Sequence, residues 1–301
     1  MPDLPKIHVI TNKILDTNLH DYAELFSACD ELYNALLLVC DIDIHENHNI
    51  NNLSLENGEA IGLNWAALCI KDLMRTKKFM DAVYEATRNK INSNPGKKIH
   101  ILYAGTGPFA TLVLPLTAKF ASTDIQFSFL EINDASYECL QKMIKFLHLE
   151  KYIHRIEKAD ATKWEIPTGD NIDIFICEAM QQGLKKEPQV AICQNIVPQL
   201  SEETIIIPTQ VVLKAVLINP EKRMQEKLEL DDELKSIHEL GTVLTLSRES
   251  ILNDDVFAEK VFDIPEETAH NYPELSILTE ISIYNDHKLL IDESALTMPL
   301  K

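Results

Sequence analysis

The sequence predicts an α/β fold: a parallel sheet covered by helices on both faces, with a helical N-terminal region before it and a β-rich domain after it. Three observations predict this. From residue 99 onward, apolar runs and helical patterns alternate in βαβα order, which requires a parallel sheet with helical crossovers. The run Ile99–Tyr103 stops at a turn carrying Gly105 and Gly107, ahead of a segment able to form a helix from Phe109. Beyond about residue 208 the pattern becomes short strands separated by turns. The expected domains are a helical region at 1–58, the α/β domain with its leading helix at 59–208, and a β-rich domain at 209–301 with a helical insertion at 220–239.

The elements follow in order. Residues 19–43 repeat apolar positions at helical spacing, from Leu19 through Leu37. Residues 45–58 are a polar loop rich in Asn and His. His45 and His48 have no third ligand in view, so no metal site is expected. Residues 59–92 form a long helical pattern that Gly62 and the Arg75–Lys78 charges interrupt, and Asn94-Pro95-Gly96 ends it. Strands are expected at Ile99–Tyr103, Ile125–Leu130, Tyr152–Lys158, Ile172–Cys177 and Thr204–Leu213. Helices are expected at Phe109–Phe120, Ala135–Leu147 and Pro188–Leu200. In the β-rich end, strands are expected at Gly241–Leu246, Val256–Phe262, Ile277–Tyr284 and His287–Ile291.

Composition narrows the function. Lys and Arg total 28 against 47 Asp and Glu, a net charge of −19. A nucleic-acid partner needs a basic surface, so none is expected. No stretch of about 18 apolar residues occurs, so no membrane span is expected. The N-terminus lacks a basic head followed by an apolar core, so no signal peptide is expected. The six cysteines form no CxxC pair and read as reduced core residues of a cytoplasmic protein.

The chemistry gathers at strand ends, where ligands of open α/β sheets bind. Glycine permits positive φ and close approach of a ligand to bare backbone. The turn is not a dinucleotide fingerprint, because Ala110 stands where GxGxxG needs its third glycine, and no Lys-Ser/Thr follows for a triphosphate. Glu131 ends the second strand, where a carboxylate can accept both ribose hydroxyls of an adenosine. Asp160, followed by Ala161 in KADAT, ends the third strand, where an acid can accept from an adenine amino group. S-adenosylmethionine carries no pyrophosphate and asks least of this loop, so it is the favoured cofactor. Glu178 leaves the fourth strand and Glu187 closes the excursion EAMQQGLKKE. Two carboxylates at the mouth of a site suit one guanidinium, whose planar fork binds carboxylates bidentately.

These motifs resemble the protein arginine methyltransferases, within the class I S-adenosylmethionine-dependent methyltransferases. The resemblance covers roughly residues 59–217. YAGTGPF resembles the family's glycine loop, with Tyr103, Gly105 and Gly107 against the cofactor. FLEIN resembles the ribose-binding segment, which implies that role for Glu131. DIFICEAMQQGLKKE resembles the double-glutamate loop, which implies guanidinium binding and catalysis by Glu178 and Glu187, with Glu178 also beside the cofactor. DLMRTKKF resembles the segment whose arginine holds the cofactor carboxylate, which implies that role for Arg75. IIIPTQ resembles the passage from a Rossmann-like domain to a barrel-like β domain.

Some positions depart from the family. Tyr103 stands where many members have an acid, and Phe109 where a third glycine often sits. No Thr-His-Trp motif occurs, and Gln181, Gln182, Lys185 and Lys186 make the glutamate loop unusually polar. The expected activity is methyl transfer to a guanidino nitrogen of arginine, peptidyl or free. The alternatives are a small-molecule amine or oxygen acceptor, and a scaffold that keeps the fold without catalysis. A homodimer is one assembly open to such a chain, with residues 220–239 the candidate dimer arm.

Overall fold

A computed structural model describes residues 2–42, 52–227 and 235–301. His45 and His48 lie outside the described residues. The chain opens with α1 (Leu4–Asp16) and α2 (Tyr22–Cys40), each capped at its first turn by an aspartate side chain, Asp3 and Asp21. A short antiparallel hairpin follows, β1 (Leu53–Leu55) and β2 (Gly58–Ala60), then α3 (Leu63–Leu68). α1 buries Ile7, Ile10 and Ile14, a helical spacing that the sequence carries, whereas the three-residue strands of the hairpin leave no periodicity to read.

The long helix is α4 (Leu73–Ser93). It starts at Asp72, whose side chain accepts from the Arg75 N–H. Its charges are not a solvated face. Lys77 and Lys78 are buried; Lys77 Nζ donates to Leu15 O at 2.7 Å and pairs with Asp81. Lys78 Nζ reaches Lys288 O at 2.8 Å and Glu293 at 2.6 Å. One helix thus ties the N-terminal pair to the C-terminal domain.

The sheet contains β3 (Ile99–Ala104), β4 (Ile125–Glu131), β5 (Ile153–Lys158), β6 (Ile174–Cys177) and β7 (Ile205–Ile207) in the order β5-β4-β3-β6-β7, all parallel. β3 and β6 are buried at every residue, as a strand covered on both faces must be. The chain runs outward from β3 to β5, then returns to β6 on the other side. The crevice between the carboxyl ends of β3 and β6 is therefore the topological switch point, where ligands of such sheets bind.

The segment after β3 differs from expectation. Residues 107–115 are consecutive turns, and α5 is only Leu116–Lys119. Gly105, Gly107 and Ala110 all have positive φ (71°, 61° and 44°), which right-handed helix forbids. No helix N-terminus at Pro108 points into the site. The helix beside the loop is instead α6 (Asp134–Phe146), capped by Asn133. α7 (Gln189–Ile196) lies beside β6.

The expected strand Thr204–Leu213 is two. It breaks at Pro208 into β7 of the parallel sheet and β8 (Gln210–Ile218) of a second sheet. α8 (Pro220–Lys227) is the described part of the helical insertion, and residues 237–239 belong to a strand instead. That strand is β9 (Ile237–Ser247), followed by α9 (Arg248–Leu252) and α10 (Glu266–Asn271), then β10 (Glu274–Tyr284) and β11 (His287–Leu289). The second sheet is antiparallel in the order β11-β10-β8-β9. Residues 256–262 are not a strand: Val256 is buried, but Phe257 and Val261 face solvent.

One hydrophobic core runs from α1 and α2 through the parallel sheet to Ile281 and Leu289 of the second sheet. All six cysteines are free thiols, five of them buried. Among the described residues, no helix is long and apolar enough to cross a membrane.

The C-terminal segment closes onto the start of α4. Asp72 accepts from Ser294 Oγ at 2.6 Å and from the Ala295 N–H at 2.9 Å while it caps the helix. Asp72→Ala should therefore cost about 2–3 kcal/mol, about 1 for the cap and about 0.5–1 for each of two bonds that solvent partly reaches. Urea unfolding measures it; a loss under about 0.5 kcal/mol would show that the aspartate fastens nothing.

Candidate active site

A pocket of about 950 Å³ opens at the switch point. Arg75, Tyr103, Gly105, Gly107, Glu131, Asp160, Ala161, Glu178 and Glu187 all line it. The four strand-end positions bring them together. β3 delivers the glycine loop, β4 delivers Glu131, β5 leads to Asp160, and β6 delivers Glu178. Arg75 comes from the first turn of α4, across the sheet end.

The glycine loop is held by Glu131. Oε2 accepts the Gly107 N–H at 2.8 Å and the Thr106 hydroxyl at 3.4 Å, and Oε1 accepts the Asn133 N–H at 2.8 Å. Burial raises this carboxyl, and the backbone donors pull it back. A carboxylate offers about four lone-pair positions, so a ribose binding through both hydroxyls would displace the long Thr106 bond. Asp160 Oδ1 is taken by Thr162, at 2.9 Å from its N–H and 2.7 Å from its hydroxyl.

Two buried polar atoms on the pocket wall lack partners: Glu178 Oε1 and Ser136 Oγ. Such atoms cost free energy unless a ligand or water meets them. Together with apolar Leu112, Leu130, Ile132 and Ala161 they fit a nucleoside, with an aromatic base between aliphatic walls and hydroxyls near Glu131.

Glu178 and Glu187 differ in surroundings. Glu178 is buried, and its Oε2 pairs with Arg75 Nη2. Burial pushes its carboxyl up, opposed by the Arg75 guanidinium. Glu187 is pushed up to about 7 by burial and by the nearby charge of Glu178. Tyr103 sits beneath them, buried, its ring edge-on to Phe129 at 6.5 Å, and burial holds its phenol well above the usual range. Among the described residues, no histidine lines the pocket.

Sequence reasoning missed the residue that braces the glutamate loop. Gln189 is buried; its Nε2 donates to Cys177 O at 2.8 Å and its Oε1 accepts the Ala179 N–H at 2.9 Å. It thus grips the backbone on either side of Glu178. Its only signal is a polar side chain in the apolar start of α7. At the amino ends of the strands, His100, His154 and Asp170 bring possible ligand atoms within 4.8 Å. Each is already engaged: His100 with Ser128 at 2.8 Å, and Asp170 with His154 and Arg155.

No family model and no curated protein matches this sequence. Among solved structures, the fold is similar to a Trypanosoma brucei PRMT1 enzyme–prozyme heterotetrameric complex with AdoHcy, at 13% identity and a TM-score of 0.46, over 73% of this chain and 74% of that one. It is also similar to Arabidopsis thaliana protein arginine methyltransferase 10 in an open conformation, at 15% identity and a TM-score of 0.40, over 54% of this chain and 43% of that one. At these identities the likeness is one of fold.

The raised carboxyl of Glu187 has a stability consequence. Between about pH 4.5 and 7 the folded chain holds a proton that the unfolded chain releases, so this group lowers stability as pH rises through that window. Glu187→Gln removes the penalty. It should stabilise the protein by about 1–3 kcal/mol at pH 8, discounted for the partial exposure of the group, and leave it unchanged at pH 4. Urea midpoints at the two pH values test this; equal effects at both would contradict the assignment.

Proposed function

We propose that the protein is an S-adenosylmethionine-dependent N-methyltransferase that acts on a guanidino nitrogen of arginine. The observation that carries this reading is the pair Glu178 and Glu187 on one pocket wall, with Glu178 half-satisfied by Arg75 and half bare. A guanidinium is the cation whose shape meets two carboxylates at once.

When bound, S-adenosylmethionine supplies an electrophilic methyl on a sulfonium: the nitrogen–carbon bond forms as the carbon–sulfur bond breaks, and its electron pair stays on sulfur. The residues of this chain do the rest. Gly105 and Gly107 would let the ligand approach the backbone, Glu131 would hold the ribose, and Asp160 and Ala161 would stand beside the base. Arg75 has one nitrogen on Glu178 and further N–H groups for the cofactor carboxylate. Glu178 holds one edge of the acceptor guanidinium and orients the attacking nitrogen. Glu187, with its carboxyl near 7, is the group suited to accept the proton that the nitrogen sheds. The six free thiols are in keeping with a reducing, cytoplasmic setting.

Two outcomes test the proposal. Glu178→Gln keeps an acceptor oxygen for Arg75 but loses the charge, and should lower turnover about 10²–10³-fold with a smaller loss, about tenfold or less, in cofactor binding by calorimetry. Retained turnover would remove Glu178 from the reaction. For the wild type, kcat/KM should rise about tenfold per pH unit below about 7 and level off above it. A profile flat from pH 5.5 to 8.5 would exclude Glu187 as the titrating group.

A further inference from the structure

We infer that the acceptor is a small guanidine bearing its own carboxylate, arginine as the free amino acid, and not an arginine within a protein chain. This rests on the methyltransferase reading and names the acceptor that it takes.

Glu187 is a shared wall. It lines the inner pocket and also an outer groove of about 1190 Å³ between the β1–β2 hairpin and the loop that leads into α7. A guanidinium reaching Glu178 and Glu187 from this side leaves the remainder of its molecule in the groove.

The charges there select that remainder. Lys185 and Lys186 line the groove immediately before Glu187. Lys186 pairs with Glu59 at 3.5 Å, whereas exposed Lys185 has no ion pair among the described residues. Two residues of chain span at most about 7 Å, the order of the reach from guanidinium to carboxylate within one arginine. Lys185 thus offers a cation for a carboxylate while Glu187 takes the guanidinium. The same lysine repels the cationic flanks of arginine-rich peptides. Charges elsewhere on this acidic chain are screened beyond about 8 Å, so Lys185 acts on what lies beside it.

The backbone around the glutamates is also spoken for. On one flank the Glu59 N–H donates to Lys186 O at 2.8 Å, and the hairpin lies so close that a Cβ on Gly58 would stand 2.3 Å from that oxygen. On the other flank the Gly183 N–H donates to Thr279 Oγ1 at 3.1 Å and Gln182 Nε2 to Met298 O at 2.6 Å. A peptide laid along this loop would have to displace the chain's own hairpin or its C-terminal segment.

The test uses the full chain loaded with S-adenosylhomocysteine for calorimetry, and with labelled S-adenosylmethionine for turnover. The probes are L-arginine, agmatine (the same guanidine without the carboxylate) and an arginine–glycine repeat peptide. L-arginine should bind and be methylated. Agmatine should be weaker by about tenfold in both Kd and kcat/KM. Lys185→Glu should cut the arginine-over-agmatine preference about tenfold. Agmatine equal to arginine, or an unchanged preference in the variant, overturns the inference. Preferred methylation of the peptide also overturns it and leaves the methyltransferase reading standing. Binding of S-adenosylhomocysteine with no guanidine accepted overturns the guanidino assignment as well.

Discussion

The buried pair between Arg75 and Glu178 is the contact on which the site depends. It joins α4 to the end of β6 across the mouth of the sheet, and both side chains are largely out of water. Breaking such a pair by removing one partner leaves an uncompensated buried charge, at a cost of about 3–5 kcal/mol. Neither residue is therefore free to drift, and the width of the pocket is set by how α4 is held. Arg75 belongs to the first turn of that helix, so the Asp72 cap and its ties to Ser294 and Ala295 also fix where the guanidinium stands.

The second sheet bears on the site in the same indirect way. Lys78 reaches Glu293, and Gly183 of the glutamate loop packs where a Cβ would stand 2.6 Å from Leu300 Cδ2. The antiparallel sheet presents Thr279 and the terminal segment to the loop that separates the two glutamates. Gln189 holds that loop from the opposite side, through the backbone before and after Glu178. The loop is pinned at three places, which fixes where its two carboxylates stand.

Much of this was legible in the sequence, for a physical reason. β3, β4 and β6 are apolar runs because both faces of a parallel strand are covered, so their ends, and the residues at those ends, can be read directly. Tyr103, Gly105, Gly107, Glu131 and Glu178 are found that way, whereas Arg75 stands on α4 and its role is implied by the resemblance of DLMRTKKF. The misreadings share a different cause. Leu112–Leu114 are buried in a series of turns, and a buried turn carries the same apolar letters as a helix. Only the left-handed Ala110 distinguishes them, and alanine gives no sign of that conformation. Nothing in the letters marks Lys77 and Lys78 as buried, since lysine is mostly exposed; their burial comes from partners about 60 and 200 residues away. Gln189 acts on backbone atoms, which no side-chain pattern encodes.

Tyr103 sharpens what the site can do. An acid at the end of β3 would add another carboxylate to a pocket where Glu131, Glu178 and Glu187 are already raised by burial. Arg75 is the arginine on that wall, and part of its capacity is spent on Glu178. Each further negative charge in such a space raises its neighbours' carboxyls more, and a protonated Glu178 or Glu187 cannot hold a cation by charge. A neutral phenol packed on Phe129 avoids that penalty and keeps the floor of the pocket rigid. A tyrosine at the end of β3 is therefore compatible with two buried glutamates that would be raised further by a third carboxylate.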